Sequence, residues 1–396
     1  MMSMRNTHDR TAVVVGAGIG GLAAAVALHR TGWQVTVLER QPALGAVGAG
    51  IAIAPNALRA LDVLEVGQAV RALAAVQGAA GYRTPDGRWL LRMDFAEAAR
   101  RLGDPFVVLP RAKLIALLVQ QLPAETLQLD TKVTTIDPGD EARPAVVTAG
   151  EKQWEADVVV AADGIASSIR SRLFPDHPEL RYAGYTAWRL LPRVAPEVAS
   201  AGQFETWGAG QRFSALPMHD GQVYCWATAT TPPRGKAEDE RAELLSRFRT
   251  WHNPIPALIE ATDPTAVLRH DAMELARPLP AMHAGRIAML GDAAHAMTPD
   301  LGQGACQGIE DAVVLAHHLK NLKTDVTTAL GSYTAERLPR TSRIAVASRQ
   351  MARLGQAQRK PAVVMRDQLL TAASHLPATV ILGSLTSTVG WRPPQP

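Results

Sequence analysis

The first forty residues constrain the fold most. Thr11 to Val15 is a short apolar, β-branched run, followed directly by Gly16-Ala17-Gly18-Ile19-Gly20-Gly21. An Ala/Leu-rich helical stretch comes next, then a second β-branched run, Gln34 to Leu38, which ends at Glu39 and Arg40. A glycine turn alone proves little. Between a strand and a helix, with an acid closing the second strand, it is the βαβ unit that binds a dinucleotide. Gly16, Gly18, Gly20 and Gly21 form the turn. Gly16 permits its tightness, Gly18 lets backbone amides approach a pyrophosphate at the helix N-terminus, and Gly21 allows close helix–strand packing. Glu39 would accept hydrogen bonds from the adenosine ribose and disfavour a 2′-phosphate. An α/β fold with a Rossmann-like domain follows.

Two later segments carry the same character. A buried-strand pattern, Val158 to Ala162, ends in Asp163-Gly164-Ile165-Ala166-Ser167-Ser168-Ile169-Arg170. The strand Arg286 to Leu290 leads into Gly291-Asp292-Ala293-Ala294-His295, then Pro299 and Gly302-Gln303-Gly304, with a helix beginning near Ala305. Between them, from about Arg181 to Cys225, short strands are rich in aromatics and suit an antiparallel sheet covering a pocket. The chain therefore divides into residues 1–177 and 278–330 as a discontinuous cofactor domain, 178–277 as an inserted β-sheet domain for the substrate, and 331–396 as a C-terminal helical region.

Composition excludes more than it selects. The 396 residues balance to a formal charge of +4, which fits neither a disordered nor a fibrous chain. Arg340, Arg343, Arg349, Arg353, Arg359, Lys360 and Arg366 lie in the C-terminal helical region. A solvated helix face is expected there in preference to a nucleic-acid or anionic-membrane patch, since stacking aromatics are missing. Cys225 and Cys306 are the only cysteines, with no metal-ligand spacing, so neither a disulfide framework nor a metal site is expected and a reducing cytoplasm fits. Met1 to Arg10 lacks the apolar core of a secretory signal, and no apolar run nears the roughly 20 residues needed to span a bilayer. Monomer and homodimer both remain open.

The three ordered motifs resemble those of the single-component FAD-dependent aromatic hydroxylases, the group A flavoprotein monooxygenases with the para-hydroxybenzoate hydroxylase fold. The loop around Thr298-Pro299-Asp300-Leu301-Gly302-Gln303-Gly304 is most similar to the branch that includes urate hydroxylase and zeaxanthin-epoxidase-like enzymes. The resemblance implies non-covalent FAD, with Asp292 on the ribityl hydroxyls and the amides around Gly302, Gln303, Gly304 and Ala305 facing the flavin's N1–C2=O edge. It implies an FAD role for Arg111 in Leu109-Pro110-Arg111, and for Asp163 toward both FAD and the nicotinamide. Val133 would pack near the adenine or simply in the strand core. Arg170 would neutralise a phosphate or pair with Asp163. Where the family usually has Asn, this chain carries Cys306, read as a small buried thiol. His295 would belong to the flavin-site scaffold, with a general-base role as the alternative.

The implied cycle is reduction of FAD by transiently docked NAD(P)H, formation of a C4a-hydroperoxide with O₂, and oxygen transfer to an electron-rich small aromatic or heteroaromatic substrate, by hydroxylation or epoxidation. Arg212 is the expected cationic anchor, with Tyr224 beside it, Tyr185 and Phe213 as walls and Arg189 as the alternative cation. No catalytic residue is assigned beyond the candidates His295, Arg212 and Tyr224. A flavin oxidase or dehydrogenase on the same fold, or a degenerate flavin-binding scaffold, are the competing readings.

Overall fold

A computed structural model describes residues 10–395 except 46–49, 76–78, 196–197, 199–201, 321–324, 378–382 and 384–385. Of the polar start, only Arg10 lies among them. The βαβ unit is present: β1 (Thr11–Val15), α1 (Ile19–Arg30) and β2 (Gln34–Leu38), with β1 and β2 parallel and in register from Thr11↔Gln34 to Val15↔Leu38. β3 (Val158–Ala161) adds in parallel on the other side of β1. These strands are near-continuous apolar runs because helices cover both faces of a parallel sheet. Leu22 through Leu28 of α1 are all buried, and the alanines in that run let the helix lie close to its neighbours.

The chain then leaves this sheet to build a second one. β4 (Leu180–Leu190), β5 (Phe204–Trp207), β6 (Gln211–Pro217), β7 (Val223–Ala229) and β8 (Leu268–Leu275) order as β8-β4-β7-β6-β5. The sheet also draws two strands from outside 178–277, Ala79–Arg83 and Trp89–Asp94, giving seven strands. All pairings are antiparallel except the one joining β5 to Ala79–Arg83. One face buries Trp188, Phe213, Cys225 and Ala227 against the helices Glu240–Phe248 and Ile255–Glu260. The opposite face turns toward the first domain, where Gly50 is so close that a Cβ would overlap the Tyr224 ring.

β9 (Ile287–Met289) returns the chain to the first sheet, parallel to β3. After the short helical turn Asp292–His295 come three longer helices: α2 (Gly304–Lys320), α3 (Val326–Gly355) and α4 (Lys360–Ala373). Almost the whole inner side of α2 is buried, from Cys306 to Leu319, and it runs against α1. No helix among the described residues is long and apolar enough to cross a membrane.

Candidate active site

The three sequence motifs meet at one place. Gly16, at φ 106°, lies against Ala162, and a Cβ there would overlap the Ala162 carbonyl. That contact joins the first motif to the second. A Cβ on Gly308 of α2 would sit 3.6 Å from the Gly20 Cα and 3.5 Å from the Gly291 Cα, which joins the first to the third. Arg170 closes the triangle by donating to the carbonyls of Asp292 (3.3 Å), Ala293 (3.1 Å) and Ile165 (2.7 Å). It forms no ion pair with Asp163 and caps these carbonyls in its place, which fixes one loop against the other.

The residues at this junction fit FAD. Gly18 caps α1 in an extended conformation with no side-chain acceptor on the helix amides and open space where a Cβ would point. Glu39 accepts from the Ala17 amide at 2.7 Å and the Gln41 amide at 2.9 Å, which holds its carboxylate across the turn. Asp163 accepts from the Ile169 amide with one oxygen, while the other is buried without a partner among the described residues. Asp292 is exposed and its carboxylate lies 3.8 Å from where a Gly304 Cβ would be. Gly302, Gly304 and Ala305 keep accessible backbone, and Arg40 and Arg111 are exposed around the rim. Val133 packs against the edge of the first core. A bound flavin would satisfy both carboxylates and the bare amides.

Behind the Gly302–Gly304 loop lies a buried ionic network. Asp311 accepts from the Gly291 amide (3.0 Å), His295 Nε2 (2.6 Å) and Arg337 Nε (2.7 Å). Glu310 accepts from Arg337 (2.6 Å), Arg340 (2.7 and 2.8 Å), Asn56 (2.6 Å) and Gln307 (3.1 Å). Gln303 accepts from Asn56 at 3.0 Å and Gln307 at 3.1 Å, so its side chain faces inward and only its backbone faces the cofactor. Burial alone would raise the Asp311 carboxyl, but His295 and Arg337 outweigh it and the group is lowered to about 2. His295 is 5% exposed and gives Nε2 to Asp311, which ties it into this network, while its Nδ1 is buried without a partner among the described residues. Cys306 is fully buried, its thiol pushed up to about 12 by that burial, and inert.

Strand alternation sorts the substrate candidates. Register pairs Arg212 with Thr228, Thr228 with Ala187, Ser214 with Trp226, Trp226 with Arg189, and Leu216 with Tyr224. Tyr185, Arg189, Arg212 and Tyr224 therefore share the face toward the flavin domain. Phe213 does not. It follows Arg212 by one residue, points to the opposite face and packs edge-on against Phe248 at 5.6 Å. Phe213 is a core residue and not a wall of the site. Arg212 is 1% exposed and committed: it pairs with Asp300, lies 3.3 Å from Glu205 and donates to Thr228 at 3.2 Å. The Tyr185 hydroxyl donates to the other Asp300 oxygen at 2.6 Å. Sheet and glycine loop are thus tied through Asp300, two residues before Gly302. Sequence reading treated that loop as bare backbone and missed Asp300, Glu205, Asn56 and Arg337; its only visible signal was an acid inside a glycine loop.

Arg189 is placed differently. Among the described residues it has no carboxylate partner; its charge acts on the Tyr224 hydroxyl, and it approaches His270 Nδ1 at 3.4 Å. Burial raises the Tyr224 phenol above its ordinary value, with Arg189 and Arg111 opposing. His270 is lowered by burial and by the same two arginines. A cation with an uncommitted charge therefore stands beside a phenol on the flavin-facing sheet. A separate cavity of about 290 Å³, lined by Arg59, Arg101 and Arg392 among others, shares no residue with this face.

Comparison with known proteins agrees with this geometry. Residues 9–348 match the FAD binding domain family model. The chain is 39% identical over 366 residues to aurachin C monooxygenase/isomerase of Stigmatella aurantiaca, covering 92% of this chain and 94% of that one. It is 32% identical over 343 residues to an FAD-dependent urate hydroxylase of Klebsiella pneumoniae, covering 85% and 88%. The crystal structure of Klebsiella pneumoniae HpxO complexed with FAD and uric acid superposes with a TM-score of 0.89 at 28% identity, covering 98% of both chains.

Proposed function

The chain belongs to the FAD-binding-domain family of flavin-dependent aromatic monooxygenases, and we propose that it acts on a flat aromatic or heteroaromatic ring carrying an anionic or phenolic oxygen. FAD, when bound, supplies the redox and oxygen chemistry, with NAD(P)H and O₂ as co-substrates. The protein's own residues bind, orient and exclude water. Gly16, Gly18, Gly20, Gly21, Glu39, Arg40, Arg111, Asp163, Asp292 and the backbone from Pro299 to Ala305 would hold the cofactor, with Val133 at its adenine end.

Arg189 and Tyr224 would take the polar end of the substrate, with Trp226 and Leu216 on the same face as apolar surface. The observation that carries this assignment is the Arg189 charge, without a carboxylate partner among the described residues and on the same flavin-facing side as Tyr224. Arg212, whose charge Asp300 and Glu205 already answer, would position the glycine loop and act through Asp300. Two buried, unpaired cysteines suit the reducing cytoplasm proposed as its compartment.

Kinetics of Arg189→Met test the anchor. Losing one charge-assisted hydrogen bond should raise KM for an anionic aromatic substrate by about tenfold to a hundredfold, with NAD(P)H-dependent flavin reduction intact. Unchanged KM and unchanged coupling of NAD(P)H oxidation to product would remove Arg189 from the site.

A further inference from the structure

The C-terminal helix α4 carries an apolar stripe on the surface. Met365, Leu369 and Ala372 lie at i, i+4 and i+7 on one side, Val364 flanks them, and Leu376 follows just past the helix end. Met365 is 60% exposed, Leu369 59%, Val364 54% and Leu376 49%. Half of the large hydrophobic side chains that stand exposed among the described residues are in this one stretch. Such a patch on an otherwise polar surface marks a contact site.

The adjoining side of the helix is fixed. Arg366 is buried and donates to the carbonyls of Gly208 at 2.9 Å and Trp207 at 3.4 Å, with Asp367 beside it at 2.8 Å. The stripe therefore cannot rotate inward.

Charge identifies the occupant. Arg359 and Lys360 stand exposed at the helix start with no acid near them on α4. Asp367 is the only acidic residue between Arg337 and the chain end, and Arg366 already holds it. A second copy pairing through this face would bring cations to cations with no carboxylate to answer them. An anionic headgroup layer would answer them while its acyl boundary took up the stripe. We propose that α4 docks the protein on an anionic lipid surface, lying in the interface without spanning it. On this proposal the helix face expected from the sequence to be solvated would be amphipathic, with apolar residues between the charges.

Flotation of the purified full-length holoprotein tests this, using vesicles of phosphatidylcholine and vesicles that also contain phosphatidylglycerol. The holoprotein should float with the phosphatidylglycerol vesicles and leave them as salt rises. Met365→Ser with Leu369→Ser should abolish flotation while FAD content and melting temperature stay unchanged. Arg359→Gln with Lys360→Gln should weaken it roughly thirtyfold, as about 1 kcal/mol per cation implies. Absence of wild-type flotation, equal flotation of the serine variant, or equal binding to both vesicle types would overturn the proposal. So would conversion of a dimer to a monomer by the serine substitutions, which would make a second copy the occupant.

Discussion

The cofactor half and the sheet half of this molecule would, on the proposed assignment, hold their ligands by different means. The first does so mainly with backbone. On the proposed assignment, amides of the Gly16–Gly21 turn and of Gly302–Ala305 would come within hydrogen-bonding distance of the cofactor, so side chains are excluded at fixed spacings and the exclusion is written as glycine. The second presents side chains from a twisted sheet, where a shift of one residue moves a group to the other face. Arg212 and Phe213 are neighbours in sequence, yet one braces the flavin loop and the other fills the core beneath Phe248. Backbone recognition leaves a pattern that survives without coordinates; side-chain recognition on a strand depends on parity.

Substitutions in the two halves should separate these modes. The largest effect is expected for Gly21→Ala. Its methyl would overlap the Gly16 carbonyl oxygen, and the Ala162 Cβ lies close by, so there is no room to yield. The variant should be recovered colourless or not at all. Normal flavin absorbance would show that the turn tolerates a side chain, and the backbone account would fail.

Next is the network that supports the glycine loop. Arg337→Ala would leave Glu310 and Asp311 buried with fewer counter-charges and should cost about 3 to 5 kcal/mol in unfolding stability. The pH dependence has a definite sign. Asp311 is held at about 2, below the ordinary carboxylate value near ~3.9, so the folded state favours its charged form. Its contribution is present above about pH 4 and is lost as pH falls toward 2. Urea denaturation across that window should show falling stability in the wild type and a flatter profile in Arg337→Ala; parallel profiles would contradict the assignment.

Asp292→Ala should be milder. It removes acceptors for the cofactor's hydroxyls and leaves the backbone contacts in place, so FAD should bind about tenfold to a hundredfold more weakly, or roughly 1 to 3 kcal/mol. Equilibrium titration of the apoprotein measures this, and an unchanged dissociation constant would move Asp292 out of the site. Smallest of all is Phe213→Leu, a conservative swap in a packed core costing about 1 kcal/mol. Coupling of NAD(P)H oxidation to product should not change, whereas Arg212→Met should lower it through the freed Asp300 loop. If Phe213→Leu uncouples turnover and Arg212→Met does not, the two faces of the sheet have been assigned backwards.

What the sequence made legible follows the same division. The βαβ unit, the return strand into Asp292 and the long closing helices rest on periodicity and on glycine spacing, which are local properties. Two strands of the second sheet, Ala79–Arg83 and Trp89–Asp94, were not foreseen because they join it across more than a hundred residues of chain. The Glu310–Arg337–Asp311 cluster was invisible for a related reason. Each member looks like an ordinary helix charge until α2 and α3 pack and exclude water. Arg170 was foreseen as important, but its carbonyl partners were not, since nothing in a sequence reveals which carbonyls a loop will present.

Isotope labelling tests the central assignment most directly. The purified protein is supplied with FAD, NAD(P)H, ¹⁸O₂ and an aromatic substrate that it turns over, and the product is weighed by mass spectrometry. One labelled oxygen atom in each product molecule, with NAD(P)H consumed in equal amount, is the predicted result. A product free of label, with hydrogen peroxide formed in its place, would make this protein an oxidase on the same fold.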